Sequence, residues 1–224
     1  MTNKYESFNL EIEDNIANII LSRPEQLNSM SRKFWVELPE ILEEVNRNSE
    51  IRVLIISSTG KHFCAGMDLS AFDNGVANIP KEKRPDNARI GEALYRSARE
   101  LQEYISKLEK IRVPVIAAIH GGCIGGAVDL VTACDIRLAT TDAFFCIQEI
   151  NIGMAADVGT LQRLPRIIPD SKMRELAYTG RRMLADEAKE SGLVSDVYNS
   201  QEEMVNAAKA VSYTHLTLPT IAIV

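Results

Sequence analysis

The chain is 224 residues long, 46% hydrophobic and 25% charged, a globular composition that excludes a disordered or fibrous protein. Twenty-five Lys and Arg against 31 Asp and Glu leave a net charge of −6, and with no long basic run this argues against a nucleic-acid surface. No apolar stretch approaches the roughly 18 residues of a membrane span, and His62, His120 and His215 show no metal-ligand spacing.

Residues 1–10 are polar and mixed in charge, without the apolar or Arg-rich look of a targeting segment. Residues 8–12 and 16–21 read as strands around Asp14-Asn15, a hairpin turn. Ser31 is a candidate N-cap for a helix carrying Phe34, Trp35, Leu38, Ile41, Leu42 and Val45 on one face; Pro39 predicts a kink or a delayed regular part. Residues 53–56 have the continuous apolar look of a buried parallel strand. Small residues follow at 60–69, then a long polar loop at 71–88 of the kind that forms lids or binding loops. Residues 88–109 predict an amphipathic helix with Leu94, Leu101, Tyr104, Ile105 and Leu108.

Residues 115–119 are the next buried strand; a glycine turn at 121–126 feeds a buried helix over 127–134 and a strand over 135–138. Residues 157–164, 172–178 and 185–191 read as helices. Alternating strands and helices predict parallel βαβ units in a layered α/β domain. The expected division is a core over 1–200, the start of a C-terminal helical region over 201–211, and an atypical, Thr-rich tail over 212–224. The scattered Cys64, Cys123, Cys134 and Cys146 read as reduced and mostly buried.

The glycines do not spell a nucleotide motif. Cys123 occupies the second glycine slot of a dinucleotide fingerprint, and Ala127 stands where a P-loop needs Lys. What remains is a helix start with free main-chain N–H groups, or tight helix–strand packing. Ala65-Gly66-Met67 supplies a second small-residue loop past a strand, read either as a plain turn or as half of an oxyanion hole.

The carboxylates are the sharper signal. Asp129 lies one turn into an apolar helix, Glu149 follows the apolar residues 143–147, and Asp157 sits among small apolar residues. Acids are rarely buried without partners, so each is a functional candidate, a helix cap or half of an ion pair. Arg137 and Arg163 are the nearest cations in sequence to Asp129 and Asp157, and Asp157 doubles as a candidate N-cap.

Together Ser22-Arg23-Pro24 with Asn28-Ser29-Met30, residues 63–69, 122–129, 133–135 and 159–165 resemble the enoyl-CoA hydratase/isomerase (crotonase) superfamily over about residues 8–210. The resemblance implies a crotonase-like spiral of repeated ββα units with an incomplete C-terminal helical region. It also implies an acyl-CoA substrate in fatty-acid β-oxidation, with coenzyme A as part of that substrate and no separate cofactor. By position, the N–H groups of Met67 and Gly126 would form the oxyanion hole, with Ala65, Gly66, Asp68, Leu69 and Gly125 contributing to substrate binding. Hydratases of the superfamily usually carry Glu at both positions matching 129 and 149. The set Asp129, Glu149 and Asp157 looks instead like that of the dienoyl-CoA isomerase branch, which moves a proton from carbon 2 and delivers one to carbon 6.

On that reading Glu149 and Asp157 transfer protons and Asp129 assists, the three converging on an apolar tunnel beside two main-chain amides. At least one carboxyl should stay protonated there. The alternatives are a 2-trans-enoyl-CoA hydratase and an inactive acyl-CoA-binding paralogue; a Clp-like serine peptidase lacks its Ser. The resemblance further implies a homotrimer or homohexamer. It places the protein in the cytoplasm of a bacterium, or in the peroxisome or mitochondrial matrix of a eukaryote.

Overall fold

The computed structural model describes residues 4–68, 70 and 86–211. Leu69, most of the expected loop (71–85) and the tail at 212–224 lie outside the described residues. Strands β1 (Phe8–Glu13) and β2 (Ile16–Leu21) form an antiparallel hairpin. Asp14 (φ 49°) and Asn15 (φ 65°) turn it in the left-handed conformation that two-residue hairpins favour. Helix α1 (Arg32–Arg47) starts at Ser31, whose hydroxyl accepts from Phe34 N–H. It is continuous across Pro39, where the sequence predicts a kink or a late start. Proline in a helix interior costs about 3 kcal/mol. Burial of Phe34, Trp35, Leu38, Ile41, Leu42 and Val45 outweighs that cost at roughly 1.5–3 kcal/mol per large apolar side chain.

Strand β3 (Val53–Ser58) is buried at every residue. Helix α2 (Asn87–Lys110) is capped by Asp86. Strands β4 (Val115–Ile119) and β5 (Gly122–Ile124) lead into helix α3 (Gly126–Thr132). Strands β6 (Ile136–Thr140) and β7 (Phe144–Cys146) follow, then helices α4 (Thr160–Arg163) and α5 (Asp170–Thr179). Strand β8 (Arg182–Leu184), helix α6 (Ala185–Glu190), strand β9 (Asp196–Tyr198) and helix α7 (Gln201–Val211) complete the described chain.

The strands build two sheets, one ordered β1-β2-β3-β4-β6-β9 and one ordered β5-β7-β8. Beyond the hairpin every pair in the larger sheet is parallel. From β4 to β5, and again from β6 to β7, the chain leaves the larger sheet for the smaller one before turning through helix or 3-10 helix, which makes the expected spiral. The main core lies between the sheets and helices α1–α6. Helix α7 seats Met204 and Ala208 on the opposite face of this chain's own large sheet, against Ile16, Val53, Ile55, Ile116 and Leu138.

Two expected elements differ. The helix over 157–164 shrinks to the four residues of α4, because Gly159 at φ 135° stands in the cap position and starts it late; a 3-10 turn (Leu164–Arg166) containing Pro165 follows. Residues 122–124 are a strand of their own rather than part of a turn. The carboxyl ends of β3 and β4 deliver the segments 61–68 and 120–126, the position where parallel sheets hold ligands.

Candidate active site

Segment 63–68 is laced on both sides. Cys64 N–H donates to Gly122 O at 3.0 Å and Ile124 N–H returns to Cys64 O at 3.1 Å. On the other side Met30 N–H donates to Gly66 O at 2.8 Å and Asp68 N–H to Met30 O at 3.1 Å. Gly66 has φ +86°, and a Cβ there would stand 2.6 Å from Ile124 O, so only glycine lets the segments close up. This leaves Met67 N–H unclaimed. Gly126 is the first residue of α3, where an N–H has no partner within the helix. Among the described residues neither amide is hydrogen-bonded, and a Cβ placed on Gly126 would lie 4.0 Å from Met67 N. Two free main-chain donors therefore flank one gap.

Asp129 is 1% exposed. Its Oδ1 accepts from Thr160 N–H at 2.6 Å, and its Oδ2 is buried with no partner among the described residues. Burial pushes its carboxyl up to about 7; the Glu149 charge adds to this, and Thr160 and Arg163 pull the other way. Glu149 opens the 3-10 turn Glu149–Ile152 after β7. Its Oε1 lies 3.3 Å from where a Gly125 Cβ would be, and its Oε2 is buried with no partner among the described residues. Burial raises this carboxyl too, with the Asp157 charge adding to the effect.

Asp157 stands in the turn before α4, exposed in the isolated chain, and its main-chain oxygen accepts from Gln102 Nε2 at 2.6 Å. It is no helix cap, because α4 begins at Thr160 with Gly159 in the cap position. Among the described residues no ion pair reaches Asp129, Glu149 or Asp157.

The three acids lie on one cavity of about 740 Å³. That is within the usual span of small-molecule sites. Trp35, Leu94, Leu101 and Met154 supply apolar wall, and Ala65, Gly66, Met67, Gly125 and Gly126 border it. Leu94 and Leu101 thus face the cavity, whereas Ile105 and Leu108 of the same helix are buried. Asp157 stands at an exposed rim, so the arrangement is an open cleft with a buried acid at its floor rather than a closed apolar tunnel.

Asp68, expected among the substrate-binding residues, does not line the cavity. Its carboxylate pairs with Arg23 at 3.6 Å and accepts from the Ser29 and Ser70 hydroxyls, which braces the loop from behind. Leu69 lies outside the described residues. Sequence reasoning missed Thr160, which acts through its main-chain N–H, and Gln102, whose side-chain amide holds the Asp157 main-chain oxygen; neither leaves a spacing signal. It also missed Arg182, whose guanidinium lies 4.3 Å from the Phe144 ring centroid at the cavity wall. Among the described residues no group of His, Cys, Asp and Glu could hold a metal ion, and no helix is long and apolar enough to cross a membrane.

A family model described as enoyl-CoA hydratase/isomerase matches residues 11–221. The chain is 45% identical over 210 residues to the rat mitochondrial delta(3,5)-delta(2,4)-dienoyl-CoA isomerase, covering 93% of this chain and 63% of that protein. It is 42% identical to the peroxisomal isomerase of the same name from Arabidopsis thaliana, covering 89% of this chain and 71% of that one. An enoyl-CoA hydratase structure from Bacillus anthracis superposes with a TM-score of 0.79 at 31% identity, over 92% of this chain and 75% of that one. The chain thus spans somewhat under two thirds of the rat relative's length.

Proposed function

The chain belongs to the enoyl-CoA hydratase/isomerase family, and from that premise we propose that it isomerises a 3,5-dienoyl-CoA to the 2,4-dienoyl-CoA. The observation that carries the reading is Asp157 on the same cavity as Asp129 and Glu149, beside the free amides of Met67 and Gly126. The relatives named for this reaction support it.

The thioester oxygen takes both amides as donors. One carboxylate, Glu149 or Asp157, removes a proton from carbon 2. The electrons spread from the broken C–H bond into the thioester carbonyl and through the diene, and the dienolate oxygen is held by the two N–H groups. The other acid, in its neutral form, gives a proton to carbon 6. The carbonyl re-forms and the double bonds move to positions 2 and 4. The two acids have exchanged protonation states, and each is reset by proton exchange with solvent before the next turnover.

Asp129, held up to about 7 by burial, keeps a proton near neutrality and assists from the cavity floor. A positioned acid or base typically contributes about 10²–10⁴-fold, and one oxyanion donor about 10²–10³. A hydratase would need two carboxylates gripping one water, and Asp157 at the rim has no part in that task.

Incubation with a 3,5-dienoyl-CoA should build the ultraviolet absorbance of the conjugated 2,4-dienoyl thioester. Crotonyl-CoA hydration without dienoyl turnover would move the chain to the hydratases, and neither reaction would make it a binding protein. A homotrimer or homohexamer belongs to the same reading, covering exposed Ile150, Ile152 and Leu161; mass by light scattering tests it. So does a mitochondrial or peroxisomal placement, tested by cell fractionation.

A further inference from the structure

Arg163 is a buried cation with no carboxylate of the cavity as its partner. Its side chain is 10% exposed, and its Nη2 donates to Ser106 Oγ at 2.9 Å and to Glu109 Oε2 at 2.8 Å. Its Nη1 donates to Val158 O at 3.3 Å. The guanidinium fills the space beside Gly159, where any Cβ would overlap it, and Gly159 has φ +135°. The turn is thus shaped around the arginine. Four residues earlier on α2, Gln102 holds the Asp157 oxygen, so positions 102, 106 and 109 form one stripe of the helix that grips the turn at 157–163. That turn carries Asp157 on one side and presents Thr160 N–H to Asp129 on the other.

We propose that Arg163 is a positioning residue that, by tying α2 to the turn at Val158 and Gly159, fixes the placement of Asp157 and of the Thr160 N–H that meets Asp129. The inference rests on the isomerase reading for its kinetic consequences, but its geometry does not. The groups facing Asp129 are Thr160 and Arg163 of α4, Glu149 of the 3-10 turn, and the Cys123 thiol of β5; Asp157 acts on Glu149. Of these only Arg163 is cationic, so its loss removes an attraction that favours the Asp129 carboxylate and loosens the hydrogen bond that does the same.

The test compares wild type with Arg163→Ala, Arg163→Lys and Ser106→Ala. It measures kcat, KM and their pH profiles on a 3,5-dienoyl-CoA, the carbon-13 titration of the Asp129 carboxyl, and the folded fraction by circular dichroism. Arg163→Ala is expected to lower kcat about 10–100-fold with KM within about twofold, since a small misplacement of reacting groups has that effect. It should also move the Asp129 titration upward. Arg163→Lys, which reaches fewer of the partners, should recover part of both effects. Ser106→Ala should move both in the same direction by less.

An unchanged Asp129 titration in Arg163→Ala, with activity falling only with the folded fraction, overturns the proposal. If Arg163→Ala does not fold, the same two readouts on Ser106→Ala decide. If wild type does not isomerise the substrate, the functional reading falls, and the titration alone decides for or against the positioning role.

Discussion

Thr160 N–H donates to Asp129 Oδ1 at 2.6 Å across 31 residues of chain, while Asp129 Oδ2 is buried with no partner among the described residues. One oxygen is held by the backbone and the other is left for a proton. The folded carboxyl titrates near 7 against an ordinary 3.8, so between those values the folded state binds more protons than the unfolded chain. Its effect on stability is therefore most favourable at low pH and declines as pH rises through about 4 to 7. Above that the ionised group costs about 4 kcal/mol.

Asp129→Asn keeps an oxygen for Thr160 N–H and removes the ionisation. Urea unfolding at pH 8 should show the variant more stable than wild type by up to about 4 kcal/mol, with the gap closing towards pH 4. The same pH slope in both proteins would contradict this.

The Met67 donor depends on how closely segment 63–68 approaches β5. Gly66→Ala sets a methyl group 2.6 Å from Ile124 O at a positive φ, so the segment must move and carry the Met67 N–H with it. The expected result is a fall in kcat of about 10²-fold or more in the dienoyl-CoA assay, the scale of losing one oxyanion donor. Full activity in a folded Gly66→Ala protein would place the oxyanion elsewhere.

Glu149 and Asp157 differ in environment, one half-buried with a raised pKa and one at the rim. Glu149→Gln and Asp157→Asn should each lower kcat about 10²–10⁴-fold. Burial holds the Glu149 carboxyl above its usual range, so it is neutral to a higher pH than an exposed glutamate. If Glu149 is the base, activity should therefore switch on at a pH above the ordinary carboxylate range. Removing Glu149 should abolish that acid limb, whereas removing Asp157, whose charge adds to the raised Glu149 pKa, should keep the limb and move it slightly to lower pH. A pH–rate profile of the two variants checks the difference.

Much of this was legible in the sequence where burial imposes a pattern. The unbroken apolar runs of β3 and β4 and the one-faced α1 are cores that no other arrangement satisfies, and Asp14-Asn15 has the chemistry of the turn it makes. The three-residue strands β5, β7 and β8 were not legible, because three residues cannot display a period. Asp129 and Glu149 stood out because acids in apolar runs are costly. Asp157 stood out equally, but the sequence could not say that Gly159, shaped around Arg163, would cap α4 and leave the aspartate free for the cavity. Asp68 was expected at the site only by its position in the family resemblance, and its pairing with Arg23, far away in sequence, leaves no local pattern.

His62 holds β5 from outside the cavity. Its Nδ1 accepts from Gly122 N–H at 2.9 Å, and burial lowers its pKa below 6.5, which keeps that nitrogen free to accept. The stabilisation is present above the ordinary histidine pKa and is lost as pH falls through the lowered value. His62→Phe keeps a ring against Phe144 but leaves Gly122 N–H without its partner. A loss of about 1–3 kcal/mol at pH 8 is expected from urea unfolding, shrinking in acid. An unchanged midpoint at pH 8 would show that the bond contributes nothing.

The most direct measurement is the position of solvent label in the product. Enzyme equilibrated in deuterium oxide carries deuterium on its acidic carboxyl before substrate arrives. Turnover of a 3,5-dienoyl-CoA, followed by nuclear magnetic resonance, should give 2,4-dienoyl-CoA with deuterium at carbon 6, and Asp157→Asn should suppress it. A 3-hydroxyacyl product, or label confined to carbon 2 with the double bonds unmoved, would contradict a proton path running between Glu149 and Asp157.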